Sequence, residues 1–386
     1  MPILEPTPFD LHMMAIALGL VRRGLGAAAP NPSVGAVIAD VSTYEVIARG
    51  VTQPGGRPHA ETVAIAAAGD RARGKTIYVT LEPCSHHGQT GPCAEAIIKA
   101  GIPRVVVAIE DPEPRVAGRG LDRLRSAGIE VIRGVGAAEA RWLTRGHVVR
   151  ITERRPLVTL KLATAGDGCV PRGDGERPAF VTGDVARAHG HLLRASHDAI
   201  LVGEGTVRDD DPLLTCRLPG MAHRSPVRIM LSRHLNERPD SRLAKTTLQA
   251  PEWVSERAPF WIFCSAAADP ARRQLRRTAF GVEVMTVAEV GGRPWLPAVM
   301  EALVARGITR LLVEGGPTIW RAFADASLVD EVNLYMAGHG EAGAMAAVRR
   351  HVGALPLTLH DTRRLGPDAL WRFRGQPKPL DPCLIN

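Results

Sequence analysis

Aromatic side chains are scarce in this chain, 4% of 386 residues, so its cores must be built from Ala, Val, Leu and Ile. No run approaches the roughly 18 uninterrupted apolar residues of a membrane-spanning helix, and no membrane partner is expected. The start, Met1 to Asp10, holds Glu5, Asp10 and several prolines instead of the basic and apolar stretches of a secretory signal. A cytoplasmic location is expected. The 6 cysteines form no disulfide framework: Cys169, Cys216, Cys264 and Cys383 lack regular spacing and are expected to be reduced, small apolar side chains. There is no internal repeat, no low-complexity segment and no basic block. The 48 Lys and Arg leave a net charge of +8, but they are spread thinly among few aromatics. A stacking groove for single-stranded nucleic acid is therefore not indicated, and no nucleic-acid partner is expected. The positive excess equally suits a small anionic substrate.

What is present is a metal-ligand inventory. His59-Ala60-Glu61 is followed by Pro83-Cys84 and Pro92-Cys93. One imidazole and two thiolates suit zinc, and three protein ligands leave a coordination position open for water. The carboxylate of Glu61 is then free to move protons. Nucleobase and nucleoside deaminases use this constellation. A structural zinc site is the competing reading; it would recruit a fourth ligand, for which His86 or His87 is at hand.

The spacing narrows the reading. Eight residues, Ser85 to Pro92, separate the two cysteines, a longer loop than the Pro-Cys-x-x-Cys version of the motif. With Pro30-Asn31-Pro32-Ser33-Val34-Gly35 upstream and Asp111-Pro112-Glu113-Pro114-Arg115-Val116-Ala117-Gly118-Arg119-Gly120 downstream, this run resembles the deaminase of riboflavin biosynthesis. The resemblance implies zinc held by His59, Cys84 and Cys93, catalysis by Glu61, and a substrate hydrogen bond from Asn31.

Length suits two domains, placed at 1–150 and 151–386. In the first, helical spacing over Phe9 to Arg23, His59 to Ala68, Cys93 to Ala100 and Leu121 to Ala127 alternates with strand-like runs at 34–39, 46–48, 76–80, 105–108 and 131–133. Helices on both faces of a sheet give a three-layer α/β domain. His59 and Cys93 then sit at helix starts, where partial positive charge favours thiolate. Glu139 to Arg155 reads as one helix running into a linker that ends at Pro156. In the second half, strands are expected at 157–163, 199–202, 227–231, 260–264, 282–286 and 311–313, and helices at 183–194, 295–306 and 317–325. That alternation predicts a largely parallel sheet with ligands at the carboxyl ends of its strands.

Two glycine turns in this half, Gly203-Glu204-Gly205 and Glu314-Gly315-Gly316, are weak phosphate-loop signals by themselves. Asp209-Asp210-Asp211-Pro212 by itself would be a solvated turn. Together with Lys161, Asp167-Gly168, Val181-Thr182-Gly183, Leu193-Arg194-Ala195 and the run to Arg217, they resemble the reductase domain of the bifunctional riboflavin biosynthesis enzymes. The resemblance spans nearly the whole chain. It implies a cytidine-deaminase-like domain followed by a dihydrofolate-reductase-like domain that uses NADPH. It also implies substrate contacts from Arg194, Leu214, Arg217 and Glu314, and cofactor contacts from Ala163, Phe180, Thr206, Asp210, Ser232 and the segment Gly316 to Ala322, which opens with Gly316, Pro317 and Thr318. Arg194 and Arg217 are expected to grip a phosphate in bidentate fashion, and Glu314 to pair with ring N–H groups.

The implied chemistry is hydrolytic deamination of a diaminopyrimidinone ribotide, with Glu61 shuttling protons at a zinc-activated water, then hydride transfer from NADPH to C1 of the ring-opened ribose. The sequence leaves Asp210 and Lys161 both open as proton donor in the second step. A homodimer or homotetramer is expected from the resemblance. Departures from the family pattern occur at Gly91, Glu113, Gly166, Phe180 and Ala337 to Ala347. They keep alive the alternative of a deaminase joined to an inactive reductase-like domain. A base deaminase acting on nucleic acid, or a zinc-containing nucleic-acid-binding protein, is the further alternative.

Overall fold

The computed structural model describes residues 5–86, 91–113, 117–170, 180–248, 258–337 and 341–376. They form two compact units that divide between Arg154 and Arg155. No helix among the described residues is long and apolar enough to cross a membrane.

The first unit runs α1 (Pro8–Gly24), β1 (Gly35–Asp40), β2 (Glu45–Val51), α2 (Ala60–Ala68), β3 (Thr76–Val79), α3 (Cys93–Lys99), β4 (Arg104–Val107), α4 (Arg119–Ser126), β5 (Glu130–Arg133), α5 (Ala137–Leu143) and α6 (Arg145–Glu153). Its sheet has the order β2-β1-β3-β4-β5. β1 is antiparallel to both neighbours, and β3, β4 and β5 are parallel. Two glycines prove the three layers. A Cβ on Gly35 would stand 2.1 Å from the Ala17 carbonyl of α1, and one on Gly50 would stand 2.0 Å from the Ala60 carbonyl of α2. Gly50 pairs with Ala36, the neighbour of Gly35, so alternation puts α1 and α2 on opposite faces. The helix expected over Glu139 to Arg155 is two helices, because Thr144 breaks it between α5 and α6.

Thr7 and Asp10 form a capping box at the start of α1. Asp10 also ties that helix to the sheet. Its buried carboxylate accepts from the Tyr78 hydroxyl at 2.8 Å and from both terminal nitrogens of Arg104 at 2.8 and 2.9 Å. Burial works to raise the Asp10 pKa, but Arg104, Thr7 and Tyr78 outweigh it and hold the group below the usual carboxylate range.

The second unit runs β6 (Leu157–Thr164), α7 (Asp184–Ala195), β7 (Ala199–Gly203), α8 (Glu204–Asp210), β8 (Val227–Ser232), α9 (Arg242–Leu248), β9 (Phe260–Ser265), α10 (Pro270–Phe280), β10 (Glu283–Val287), a small hairpin of β11 (Glu289–Val290) and β12 (Arg293–Pro294), α11 (Leu296–Ala305), β13 (Arg310–Val313), α12 (Pro317–Asp325), β14 (Glu331–Ala337), α13 (Glu341–Val352), β15 (Leu357–Leu365) and β16 (Asp368–Gly375). The large sheet has the order β10-β9-β8-β7-β13-β6-β14-β16-β15. Pairing is parallel from β10 through β14, as the strand–helix alternation predicts, and the β15–β16 hairpin adds an antiparallel edge. Successive strand residues feed separate cores on the two faces: Leu201 and Ile229 into one, Ile200 and Met230 into the other. The carboxyl ends of β6, β13, β7 and β8 therefore lie side by side.

Replacing Asp10 by Ala removes the buried acceptor that Arg104 and Tyr78 share at the α1–sheet joint and leaves Arg104 with Glu130 on its outer side. We expect a loss of about 3–5 kcal/mol in the first unit's denaturant-unfolding transition, and a far smaller loss from Asp122→Ala on the exposed face of α4.

Candidate active sites

In the first unit, two helix starts and one loop converge. His59 is the N-cap residue of α2, Cys93 the first residue of α3, and Cys84 follows β3 on a loop. Their ligand atoms all lie within 4.8 Å of one another. His59 Nδ1 stands 3.3 Å from the Cys93 sulfur and 3.8 Å from the Cys84 sulfur. A tetrahedral zinc with bonds of about 2.0–2.3 Å sets its donors roughly 3.5–3.8 Å apart, so the donor set and its spacing fit that ion. Nδ1 is the ring nitrogen that faces the two sulfurs. The opposite one, Nε2, is 3.5 Å from the Asn31 amide, whose nitrogen donates to the Gly56 carbonyl at 2.9 Å. Among the described residues the set holds these three ligands; His86 is exposed and outside it, and His87 lies outside the described residues.

The electrostatics are those of a site made for a cation. A hydrogen bond from the Cys93 thiol chiefly holds Cys84 down to about 4. The same contact, with burial and the nearby Glu61, pushes Cys93 up. Contact with Cys84 raises His59. A bound dication displaces such thiol protons. Glu61, buried in the first turn of α2, is pushed up to about 7 by burial; a dication beside it acts in the opposite direction.

In the second unit, the strand ends open onto a cavity of about 1260 Å³. Every reductase residue expected from the sequence borders it. Ala163 comes from the end of β6, Phe180 from the segment before α7, and Arg194 from α7. Thr206 and Asp210 come from α8; Leu214 and Arg217 follow it. Ser232 ends β8, Glu314 follows β13, and Gly316, Pro317 and Thr318 open α12. Leu214 is buried with φ +58, a left-handed backbone that costs a non-glycine residue of order 1 kcal/mol or more and marks functional turns.

Arg194 is already engaged at the cavity wall: its Nε and one terminal nitrogen fork onto Glu314 at 2.9 and 2.8 Å, and the other donates to the Thr215 carbonyl at 3.1 Å, which leaves two of its five N–H groups for a ligand. The reason is burial, since an acid as enclosed as Glu314 requires a counter-charge. Burial pushes Glu314 up, but Arg194 and then Lys161, 3.8 Å away, bring it down to about 2. That leaves Arg217 at the rim. Partly desolvated and facing Arg194 and Arg242, it is pulled down to about 10. Arg242, His191 and Tyr335 also border the cavity and were not singled out from the sequence; each is isolated there, with no motif around it. Burial, and then Asp209, raises Asp210.

The glycine turns divide their work. A Cβ on Gly203 or Gly315 would come within 2.8 or 2.7 Å of Ile319, so both serve helix packing. Gly316 has only the Thr206 hydroxyl, at 4.0 Å, in front of it, and offers open backbone to a ligand.

The chain matches the family described as "Cytidine and deoxycytidylate deaminase zinc-binding region" over residues 8–109, and that described as "RibD C-terminal domain" over residues 156–369. It is 41% identical to the riboflavin biosynthesis protein RibD of Bacillus amyloliquefaciens over 330 residues, 84% of each chain. With the RibD of Escherichia coli (strain K12) it shares 36% identity over 383 residues, 95% of this chain and 99% of the relative. Among solved structures, Acinetobacter baumannii RibD superposes with a TM-score of 0.78 at 32% identity, covering 96% of this chain and 99% of that one. The diaminohydroxyphosphoribosylaminopyrimidine deaminase/5-amino-6-(5-phosphoribosylamino)uracil reductase of Thermotoga maritima gives 0.74 at 31%, covering 95% and 99%.

The purified chain should carry stoichiometric zinc by elemental analysis. Cys93→Ala, which removes a ligand from the start of α3, should lose it on dialysis against a mild chelator.

Proposed function

Because the chain belongs to the RibD family of riboflavin biosynthesis enzymes, we propose a role for each residue that its two sites bring together. It is a bifunctional enzyme that deaminates 2,5-diamino-6-(5-phosphoribosylamino)pyrimidin-4(3H)-one by hydrolysis and then reduces the ribosyl group to ribityl. Its cofactors are zinc and NADPH. In this reading residues 1–150 carry the deaminase and 151–386 the reductase. The substrate is a small phosphorylated pyrimidine rather than a nucleic-acid strand. Thiolate ligands favour a reducing compartment, and we place the enzyme in the cytoplasm. Self-association is part of the proposal, supported by the open sheet edge at β15.

The observation that carries the deaminase assignment is His59 Nδ1 facing two sulfurs while a buried carboxyl, Glu61, stands free of the ligand set. Zinc, when bound, supplies the Lewis acid that makes water a nucleophile near neutral pH. Glu61 takes the proton of the attacking water and returns it to the departing amine, so that ammonia leaves and a carbonyl remains. The Asn31 amide, fixed by Gly56 beside His59, orients the pyrimidine ring.

In the second site NADPH, when bound, supplies the hydride for C1 of the opened ribose. Open backbone at Gly316 and the start of α12 receives a cofactor phosphate. Arg217 takes the substrate phosphate, the task its freedom from Glu314 leaves to it. Lys161 holds the Glu314–Arg194 pair on the cavity wall. Asp210, which borders the cavity, delivers the proton that must accompany hydride; burial and Asp209 shift its pKa upward, the direction that suits a proton donor.

Glu61→Gln keeps the shape of the side chain and removes its basicity. Ammonia release should fall by at least about 10²-fold while zinc content is unchanged; retained turnover would refute the role. Asp210→Asn should slow NADPH oxidation on preformed aminouracil ribotide by about 10²-fold. In the wild type that rate should decline as pH rises through the elevated Asp210 pKa, where the proton is lost, and the decline should be missing from the variant's pH profile.

A further inference from the structure

The eight residues between Cys84 and Cys93 raise a question of anchorage. In a Pro-Cys-x-x-Cys site one helix start fixes both sulfurs. Here Cys93 is on α3 while Cys84 comes before the intervening loop, so the residues that precede Cys84, on the side away from that loop, bear on its position as well as α3 does.

Glu82 occupies that side. It is buried, 4% exposed, two residues from Cys84, and it is not in the ligand set. Its carboxylate turns away from the sulfurs onto main-chain N–H groups of the stretch leading into α4. Oε1 accepts from Gly120 at 2.8 Å and Leu121 at 3.4 Å. Oε2 accepts from Gly118 at 3.0 Å and Asp111 at 3.3 Å. No cationic side chain pairs with it among the described residues; these four N–H groups are its partners. Its own N–H donates to the Ile109 carbonyl at 3.0 Å. The next residue is clamped as well: a Cβ on Gly120 would come within 2.0 Å of the Pro83 carbonyl. Beyond that, the Cys84 carbonyl accepts from Ala94 N–H at 3.1 Å, and the Cys84 sulfur from Cys93 N–H at 3.3 Å. An unbroken series of contacts thus joins the start of α4 to the start of α3 through Glu82, Pro83 and Cys84.

We propose that Glu82 is a positioning residue of the deaminase, which fixes Cys84 for metal binding by pinning the ligand loop to the start of α4. The role rests on the zinc reading above. Ligands held in place before the ion arrives lose less freedom on binding it, and their supporting contacts set how firmly it is kept.

The test compares the whole chain with Glu82→Gln, which keeps the shape but presents an amide to N–H donors, and with Glu82→Asp, which keeps the charge but withdraws it by one methylene. Zinc release to a chromogenic chelator is timed, and the absorption bands of the cobalt-substituted proteins are recorded, at a temperature where circular dichroism matches wild type. Release should be about tenfold faster or more in Glu82→Gln and intermediate in Glu82→Asp, with shifted thiolate-to-cobalt bands. If both variants release zinc at the wild-type rate with unchanged cobalt spectra, while only their melting temperatures fall, the residue is merely structural and the proposal is wrong. Should Glu82→Gln fail to fold, Glu82→Asp decides by the same criterion. A wild type that binds no zinc would overturn the metal reading itself, and this role with it.

Discussion

Charge taken out of water must be matched, and the design of both sites follows from that constraint. Two sulfurs and an imidazole are drawn within 4.8 Å of each other with the buried Glu61 beside them, a donor set whose deprotonated form a dication stabilises. The second unit meets the same demand with its own side chains. Glu314 is enclosed and receives the fork of Arg194 and the ammonium of Lys161. Asp10 receives Arg104. Glu82 receives main-chain N–H groups instead of a cation. Where the matching is incomplete, a ligand has a place: Arg217 and Arg242 face each other at the cavity rim with excess positive charge, which suits a phosphate.

The architecture delivers these charges by ordinary means. In the first unit, Gly35 and Gly50 let α1 and α2 come down on opposite faces of the sheet. The N-cap of α2, which is His59, is thereby brought to the level of the loop that leaves β3. In the second, parallel strands end together, so Ala163, Ser232 and Glu314 reach one cavity from distant parts of the chain. Stability and chemistry use the same contacts here. The pair that keeps Glu314 tolerable in the interior also fixes Arg194 on the cavity wall, with Arg217 beside it.

The metal set was legible because its logic is local. His59 and Cys93 begin helices whose apolar spacing is plain, and Glu61 follows two positions after the first ligand. The central strands were legible for a similar reason, as short Val, Leu and Ile runs between helical segments. Pairings at long range left no such mark. Arg194 and Glu314 lie 120 positions apart, and nothing periodic in either neighbourhood announces that one is committed to the other. The Gly203 to Asp211 run reads as turns, because Gly and Asp are weak helix formers. Its helix, α8, is held by packing on β7 and β8, and the left-handed residues Asp211 and Leu214 come only after it. Thr144, which divides α5 from α6, likewise sits in text that reads as uninterrupted helix.

The departures from the family pattern gain a physical meaning once they are located. Gly166 and the stretch from Ala337 to Ala347 look like independent losses along the sequence. In space they are neighbours. A Cβ on Gly166 would stand 3.0 Å from the Ala337 carbonyl, one on Gly343 would stand 4.0 Å from the Gly166 carbonyl, and one on Gly168 would stand 3.3 Å from the Ala347 side chain. β14 ends at Ala337 and α13 begins at Glu341; residues 338–340 lie outside the described set. A bulky residue at 166 would meet that backbone, so the small residue and the altered segment answer one another. Phe180, a further departure in this unit, is exposed and lies under the Arg187 guanidinium at 4.9 Å, and it borders the cavity. The changes at Gly166 and from Ala337 to Ala347 thus form one repacked patch, while Lys161, Arg194, Glu314 and Asp210 line the cavity.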